Sequence, residues 1–211
     1  MAQTVLISAL TTETITAAVK QALQVLERGG LVAFPTDTVY GLAASAFDTH
    51  GIDRLFQAKE RQIEKAIPIL LASPADLEQV TLDMPAHARI LAQRFWPGPL
   101  TLVVPRHPAL PENISPSSTI GVRMPDHPVA LAILRASGPL AVTSANLSGF
   151  PSSTNASQVF NQLDGRVDLI IDGGNTSGGI PSTVVDCTGP APKVLREGPL
   201  SKTDLDQALQ V

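Results

Sequence analysis

Short apolar runs of strand length alternate with segments of helical period along this chain, and this alternation limits the fold more than any other feature. Between residues 12 and 28 apolar side chains recur every three or four residues, which predicts a helix that ends at Gly29-Gly30. Residues 31–34 are all apolar and predict a short buried strand. Because the alternation continues along the chain, we expect an α/β sheet with parallel and antiparallel pairs.

The remaining elements follow from the same patterns. Further strands are predicted over 67–71, 100–104, 120–123, 140–143, 169–171, 183–187 and 193–195. Helices are predicted over 51–59, after the N-cap Ser73 with Pro74 at the first position, over 85–95, over 128–136 with Asp126 as N-cap, and over 155–163. The longest loop lies between two predicted strands and is too short to be a linker between domains. We therefore expect one domain over residues 1–211.

Composition excludes several classes of protein. With 44% hydrophobic residues and a mean hydropathy of +0.16, the chain has enough apolar surface for a packed core, which excludes a disordered chain. A net charge of −4 excludes a strongly basic coat for nucleic acid. The single cysteine, Cys187, excludes an intramolecular disulfide and a cysteine-cluster metal site, as expected for a reducing cytoplasm. No signal peptide or membrane span is expected.

Polar residues cluster directly after the predicted strands, where open α/β sheets bind their ligands. Thr36, Asp37, Thr38 and Tyr40 follow the strand over 31–34. These side chains are candidates for ligand binding. A turn in which threonine and aspartate bond their own backbone explains the pattern equally well.

A second cluster is cationic. Lys59 and Arg61 are followed by Lys65, which stands four residues after Arg61. Together the three cations are able to surround an anionic ligand. Glu60 and Glu64 stand between them, so a solvated helix end is the alternative.

The third cluster, over 143–149, joins small hydroxyl residues to an amide and a glycine. Such a segment allows a ligand to approach the backbone closely. Ser144 is not a covalent nucleophile of the elbow type, because Val142 and Asn146 stand where that motif needs glycine. None of the four histidines stands in a pattern typical of a general base.

The fourth cluster, over 172–183, contains four glycines within seven residues. It lacks the order of a P-loop or of a dinucleotide-binding motif, so neither enzyme class is indicated. Arg123 and Arg196 end predicted strands and are able to add positive charge to the same crevice. No set of carboxylates or histidines has the spacing of a metal site.

Taken together and in this order, the clusters resemble the YrdC-like family of threonylcarbamoyl-AMP synthases. The matching strings are FPTDTVYGL at 34–42, AKER at 58–61, FWPGPLTLVV at 95–104, IGVRMPDHP at 120–128, AVTSANLSG at 141–149, DGG at 172–174, PSTVVD at 181–186 and LREG at 195–198. The resemblance implies a twisted, open mixed sheet with flanking helices and a positively lined concave cavity.

The resemblance also implies a reaction. L-threonine, bicarbonate and ATP, the last with Mg²⁺, give threonylcarbamoyl-AMP and pyrophosphate. The product serves t⁶A formation at position 37 of tRNA, so the expected partners are the threonylcarbamoyl-transferase machinery and tRNA. No residue suits covalent catalysis, so positioning and electrostatics are expected to carry the reaction.

Family roles transfer to individual residues of this sequence as follows. Lys59 and Arg61 are implied as the catalytic pair that holds the ATP phosphates. The remaining implied ATP-binding residues are Lys65, Thr119, Ser144, Asn146, Thr154 and Arg196. The implied L-threonine-binding residues are Thr38, Arg123, Ser144 and Ser182, with Arg123 as partner of the substrate carboxylate. No protein ligand to a metal is implied.

The sequence departs from the family at several positions. Leu70 stands where several relatives have a histidine that contacts threonine, Gln62 replaces a usual proline, and Lys65 replaces a common asparagine. The chain resembles the short form that lacks a C-terminal domain. Two alternatives stay open: an RNA-binding module without catalysis, and a carbamoyl-adenylate-forming domain of a carbamoyltransferase.

Overall fold

The computed structural model describes residues 3–60 and 65–210, whose strands form one sheet. The strands are β1 (Val5–Ser8), β2 (Val32–Phe34), β3 (Gly41–Ser45), β4 (Ile69–Leu70), β5 (Leu100–Pro105), β6 (Thr119–Arg123), β7 (Leu140–Ser144), β8 (Leu169–Asp172), β9 (Thr183–Asp186) and β10 (Lys193–Arg196). Their order across the sheet is β1-β8-β2-β3-β7-β4-β6-β5-β9-β10. Strand β8 is parallel to β1 and β2, whereas β3 is antiparallel to β2 and β7, so the predicted mixed α/β sheet is confirmed.

The helices lie on both faces of the sheet. They are α1 (Thr12–Glu27), α2 (Thr49–Lys59), α3 (Leu77–Val80), α4 (Ala86–Phe95), α5 (Pro128–Ser137), α6 (Ala156–Leu163) and α7 (Lys202–Ala208), with 3₁₀ turns at Pro74–Asp76 and Glu112–Ile114. Among the described residues, no helix combines the length and the apolar character needed to cross a bilayer.

Alternation along the strands divides the apolar core into two layers. On one face, Leu42, Leu102 and Val122 pack with Leu55 of α2 and Leu91 of α4 in a core that extends along most of the sheet. This layer extends beneath the sheet from β2 to β9, through Ala33 at one end and Val185 at the other.

The second face is covered at one end. There α1 and α5 pack against β2, β3, β7 and β8, with Phe34, Val142 and Ile171 among the buried contacts. Thr101 of β5 alternates with Leu100 and Leu102 of the first core, and therefore projects from this second face. In the part of the chain that the structure describes, the helices of the second core do not extend over β5 and β6, and the second face opens into a cavity there.

Three elements are absent from the predicted list. The edge strand β1 and the helix α7 have sequence signals, Val5 to Ile7 and the capping pair Ser201 and Asp204. Strand β3 consists mainly of glycine, alanine and serine, which have low intrinsic preference for strands, and its place between β2 and β7 decides its conformation.

The predicted cap of α5 is wrong. The N-cap is His127, whose Nδ1 accepts a hydrogen bond from the backbone N–H of Val129 at 3.3 Å. The exposed Asp126 donates its own backbone N–H to Asp37 instead, at 3.1 Å. The reason is that Pro128 takes the first helical position, which places the residue directly before it at the cap.

The capping role of His127 predicts a pH-dependent stability. Burial lowers the pKa of His127, while Asp37 and Asp126 act in the opposite direction. Since the neutral ring is the form that caps, the stabilisation is complete above pH about 6.5 and is lost as pH falls through the lowered pKa. Asparagine caps a helix without titrating. When the pH is lowered, we therefore expect the free energy of unfolding of His127→Asn to fall less than that of the natural protein. Urea denaturation at a series of pH values measures this, and parallel curves for the two proteins would contradict it.

Candidate active site

A cavity of about 150 Å³ lies on the uncovered part of the second face. Five residues to which the family resemblance gives a ligand role line it: Thr38, Arg123, Ser144, Ser182 and Arg196. All four predicted threonine-binding residues are in this group. They come from the β2–β3 loop, the ends of β6 and β7, and the start of β9, so the fold brings together residues up to 144 positions apart, from Thr38 to Ser182.

Arg123 forms the cationic floor of the cavity. Its guanidinium donates from Nε to the backbone oxygen of Gly98 at 2.9 Å, from Nη1 to Thr38 Oγ1 at 2.9 Å and from Nη2 to Asp37 Oδ1 at 2.5 Å. The side chain is 7% exposed, and burial lowers its pKa against the opposing effect of Asp37. Contacts on all three nitrogens hold the guanidinium plane in one orientation.

Asp37 balances the charge of Arg123 and connects three loops. Its carboxylate also accepts the backbone N–H of Asp126 at 3.1 Å, and its backbone oxygen accepts from Ser177 Oγ at 3.4 Å. The turn proposed for this segment is present, because Thr36 bonds the backbone of Thr38 and Val39. However, Asp37 and Thr38 also reach across the chain to Arg123.

Arg196 adds a second guanidinium to the cavity. It donates from Nε and Nη2 to the backbone oxygen of Ser182, at 3.1 Å and 2.8 Å, and from Nη2 to Ser182 Oγ at 3.2 Å. Burial lowers the pKa of Arg196, and its charge in turn acts to lower the pKa of Arg123. The two guanidiniums thus repel each other across a space that suits an anionic group.

Lys59 lies beneath the segment over 144–146 and does not line the cavity. It is 1% exposed, and its ammonium donates to the backbone oxygens of Ser144 and Asn146. The backbone oxygen of Lys59 accepts from the N–H of Ser148 at 3.0 Å. The end of α2 and the segment after β7 are therefore one rigid unit, in which a buried positive charge supports Ser144.

Asn146 uses its amide to shape its own loop. Nδ2 donates to the backbone oxygens of Leu147 and Phe150, both at 2.8 Å. Its buried Oδ1 finds no hydrogen-bond partner within the described part of the chain. The atom that Asn146 offers to a ligand is therefore an acceptor.

The glycine-rich segment after β8 forms one wall of the cavity through Pro181 and Ser182. Tyr40 anchors it, since its hydroxyl donates to the backbone oxygen of Gly174 at 2.7 Å and accepts from Gly173 N–H at 3.3 Å. Burial raises the pKa of Tyr40. A Cβ on Gly178 would lie 2.6 Å from the backbone oxygen of Asp37, so only glycine allows this close approach.

The other predicted site residues lie elsewhere. Lys65, Thr119 and Thr154 do not line the cavity. The hydroxyl of Thr119 contacts Ser117, and that of Thr154 contacts Gln158, so both are held locally. Arg61 lies outside the described residues. The ligand roles of these four residues, like those of the residues that line the cavity, stay predictions.

Sequence reasoning missed Thr101 as part of the site, and it gave no individual role to Thr36 of the first polar cluster. Thr101 lies within the apolar strand β5 and its Oγ1 is 2.8 Å from Ser182 Oγ. A hydroxyl inside a buried apolar strand was the available signal. Leu70, the position that the resemblance aligns with a histidine of several relatives, also lines the cavity.

No histidine or cysteine of the described chain lines this cavity. His87 Nε2 lies 2.9 Å from the backbone oxygen of Cys187. Burial and then Asp186 raise the pKa of Cys187 to about 12, which keeps the thiol unreactive. Within residues 3–60 and 65–210 no three His, Cys, Asp or Glu side chains are placed to hold a metal ion.

Comparison with known proteins relates this geometry to a family. The model for Sua5, YciO and YrdC proteins, described as "Telomere recombination", matches residues 24–198. Threonylcarbamoyl-AMP synthase of Bacillus subtilis is 43% identical over 197 residues, which cover 90% of this chain and 56% of that protein. The crystal structure of P. abyssi Sua5 complexed with L-threonine has a TM-score of 0.90 at 40% identity, over 97% of this chain and 60% of that one.

A third match differs in length. The E. coli YciO structure has a TM-score of 0.84 at 26% identity. The match covers all of that structure and 97% of this chain. By contrast, the chain spans a little over half the length of the curated B. subtilis and P. abyssi relatives, 56% and 55%.

The burial of Lys59 predicts a structural cost for its removal. Lys59→Met keeps the length of the side chain but leaves two buried carbonyl oxygens without their charged donor. We expect the free energy of unfolding to fall by at least about 2 kcal/mol. Urea denaturation measures it, with Lys20→Met on the exposed side of α1 as the matched control. Equal losses in the two variants would contradict the assigned contacts.

Proposed function

The chain belongs to the Sua5/YciO/YrdC family, and on that premise we propose that it makes threonylcarbamoyl-AMP and pyrophosphate from L-threonine, bicarbonate and ATP. One observation carries the proposal: the four residues implied as threonine ligands line a single small cavity. The relative from P. abyssi, of the same fold, binds L-threonine. Curated relatives named threonylcarbamoyl-AMP synthase support the reaction.

The size of the cavity favours an amino acid as its occupant. At about 150 Å³ the cavity is smaller than the roughly 300–1,000 Å³ typical of sites for drug-sized ligands, so it suits a small amino acid better than a nucleoside triphosphate. We therefore place L-threonine in the cavity and ATP at its opening, over the segment that Lys59 supports.

Charge decides how the amino acid is oriented. Arg123 has five N–H donors, of which three are in use, so donors remain for a carboxylate. Arg196 adds a second cation to the lining, and the threonine carboxylate lies between the two guanidiniums. Leu70 and Val142 provide an apolar surface for the side-chain methyl group.

The chemistry then proceeds in two steps. The neutral amine attacks bicarbonate, and loss of water gives an N-carboxylated threonine. Its new carboxylate oxygen attacks the α-phosphorus of ATP, and the bond from that phosphorus to the bridging oxygen breaks, releasing pyrophosphate. The chain's contribution is to hold the reactants in line and to stabilise the charge that develops on the leaving phosphates.

The positive charge of Lys59 acts on the ATP site through the loop that it supports. Its ammonium fixes the backbone of Ser144 and Asn146, so we propose that both residues contact the nucleotide from a preorganised loop. Asn146 Oδ1 is an acceptor and suits an N–H donor of the nucleotide. Direct phosphate contacts from Lys59 and Arg61 stay predictions.

Magnesium fits this site as part of the nucleotide. Mg²⁺ prefers oxygen ligands and usually binds through one or two carboxylates together with phosphate oxygens. The carboxylate of Asp37, which contacts the lining residue Arg123, is held by Arg123 and the Asp126 N–H. We propose that the phosphates of ATP and water hold Mg²⁺, which neutralises phosphate charge when bound.

The product is a labile mixed anhydride, so its acceptor must be near. We propose delivery to a threonylcarbamoyl transferase that modifies tRNA at position 37, with the cytoplasm as the location. The formal net charge of −4 argues against RNA binding as the main activity.

Pyrophosphate release tests the proposed reaction. With L-threonine, bicarbonate, ATP and Mg²⁺ present, we expect release that stops when either L-threonine or bicarbonate is omitted. Release that ignores both omissions would contradict the assignment. Salt-sensitive RNA binding without any pyrophosphate would favour the RNA-binding alternative.

Replacing Arg123 with lysine tests the orientation of the amino acid. Arg123→Lys keeps the charge but loses the fork that bonds Gly98, Thr38 and Asp37 together. We expect KM for L-threonine to rise about tenfold or more, with a smaller change in KM for ATP. Arg106→Lys, which replaces a guanidinium bonded to backbone oxygens of another loop, is the control. An equal rise in both KM values would contradict this placement.

A further inference from the structure

The hydroxyls of Thr36 and Thr38 lie 3.0 Å apart on the wall of the cavity, and their protons can be assigned. The two residues are 3% and 1% exposed. Thr36 Oγ1 lies 2.7 Å from the backbone oxygen of Val39. Because a carbonyl oxygen only accepts, the single hydroxyl proton of Thr36 goes to Val39. Thr36 Oγ1 also accepts the backbone N–H of Thr38, at 3.2 Å.

This assignment decides the contact between the two hydroxyls. Thr36 has no second proton, so Thr38 is the donor and Thr36 Oγ1 the acceptor. Thr38 Oγ1 in turn accepts from Arg123 Nη1 at 2.9 Å, because a guanidinium only donates. A hydroxyl has one proton and two lone pairs. What Thr38 has left for the cavity is one lone pair.

We infer that Thr36 is a positioning residue that makes the Thr38 hydroxyl an acceptor only, and so gives the cavity a fixed polarity. The inference rests on the proposed function, since it concerns how L-threonine is oriented. A substrate carboxylate is repelled by the lone pair of Thr38 and lies at the guanidiniums of Arg123 and Arg196. An N–H or O–H donor of the amino acid lies at Thr38.

The same network reaches Asp37 through Arg123. Val39, Thr36, Thr38, Arg123 and Asp37 form a continuous series of hydrogen bonds in which each direction is determined. Without the Thr36 hydroxyl, Thr38 has no acceptor for its proton in this series. Its O–H is then free to turn toward the cavity. There its proton faces the N–H or O–H donor of the substrate, and the two donors cannot form a hydrogen bond.

Steady-state kinetics on Thr36 variants test this role. We expect Thr36→Val to raise KM for L-threonine about five- to tenfold, the loss of one hydrogen bond, while kcat and KM for ATP stay within about twofold. Thr36→Ser keeps the hydroxyl and is expected to restore the natural KM. Thr36→Cys keeps the volume with a weaker hydrogen bond and is expected to lie between them.

Thr4→Val is the matched control. Thr4 is 6% exposed, and its hydroxyl also donates to a backbone oxygen, of Val167, and accepts a backbone N–H, of Gly165, far from the cavity. We expect its KM for L-threonine to be unchanged. If Thr36→Val fails to fold, the comparison of Thr36→Cys with Thr36→Ser decides.

The outcomes separate this inference from the proposed function. An unchanged KM for L-threonine in Thr36→Val, or in Thr36→Cys if the valine variant does not fold, would overturn the positioning role while leaving the reaction in place. A parallel fall of kcat in Thr36→Val and Thr4→Val would assign Thr36 to general stability and also overturn it. A natural protein that releases pyrophosphate without regard to L-threonine would overturn the proposed function, and this inference with it.

Discussion

The buried ion pair between Arg123 and Asp37 connects the parts from which the site is built. Arg123 ends a strand, Asp37 belongs to the turn after β2, and their contact of 2.5 Å joins segments 86 residues apart. Removing one member of a buried pair leaves the other charge without compensation, which typically costs about 3–5 kcal/mol. The pair thus has two effects: it gives the cavity a cation in a fixed orientation, and it ties the loops that form the cavity wall.

The position of the cavity follows from how the sheet is covered. The first core extends over most of the sheet, whereas α1 and α5 cover one end of the second face. Side chains that project from the uncovered part therefore need water, one another or a ligand. Thr101 and Arg123 satisfy their polar groups within a network of hydroxyls and carbonyls, and the remaining acceptors and donors face the cavity.

A second buried cation, Lys59, supports the segment after β7. The ammonium of Lys59 donates to backbone oxygens of the segment after β7, and the side chain is buried at the end of α2. Backbone dipoles thus contribute to stabilising this charge. Through these contacts a charged residue holds the end of α2 against the segment after β7.

Much of the fold could be predicted from local pattern. Helices such as α1 and α6 have an apolar face and a capping residue directly before their first turn. The ends of apolar strands such as β5 are marked by flanking proline and glycine. Strand β3 could not be predicted, because its small residues become a strand only between two partners. The cap of α5 was misassigned because two polar residues precede Pro128, and backbone geometry selects between them.

The sequence by itself determined the mixed α/β class, the polar clusters at strand ends and their likeness to one family, since these depend on residue type and order. Tertiary structure alone decided which clustered residues meet. Lys59 is buried beneath the segment after β7. Thr119 and Thr154 lie outside the cavity, whereas Thr36 and Thr101 line it. The reason is that the direction of a side chain depends on strand register and on what covers each face, and both are set by contacts between distant segments.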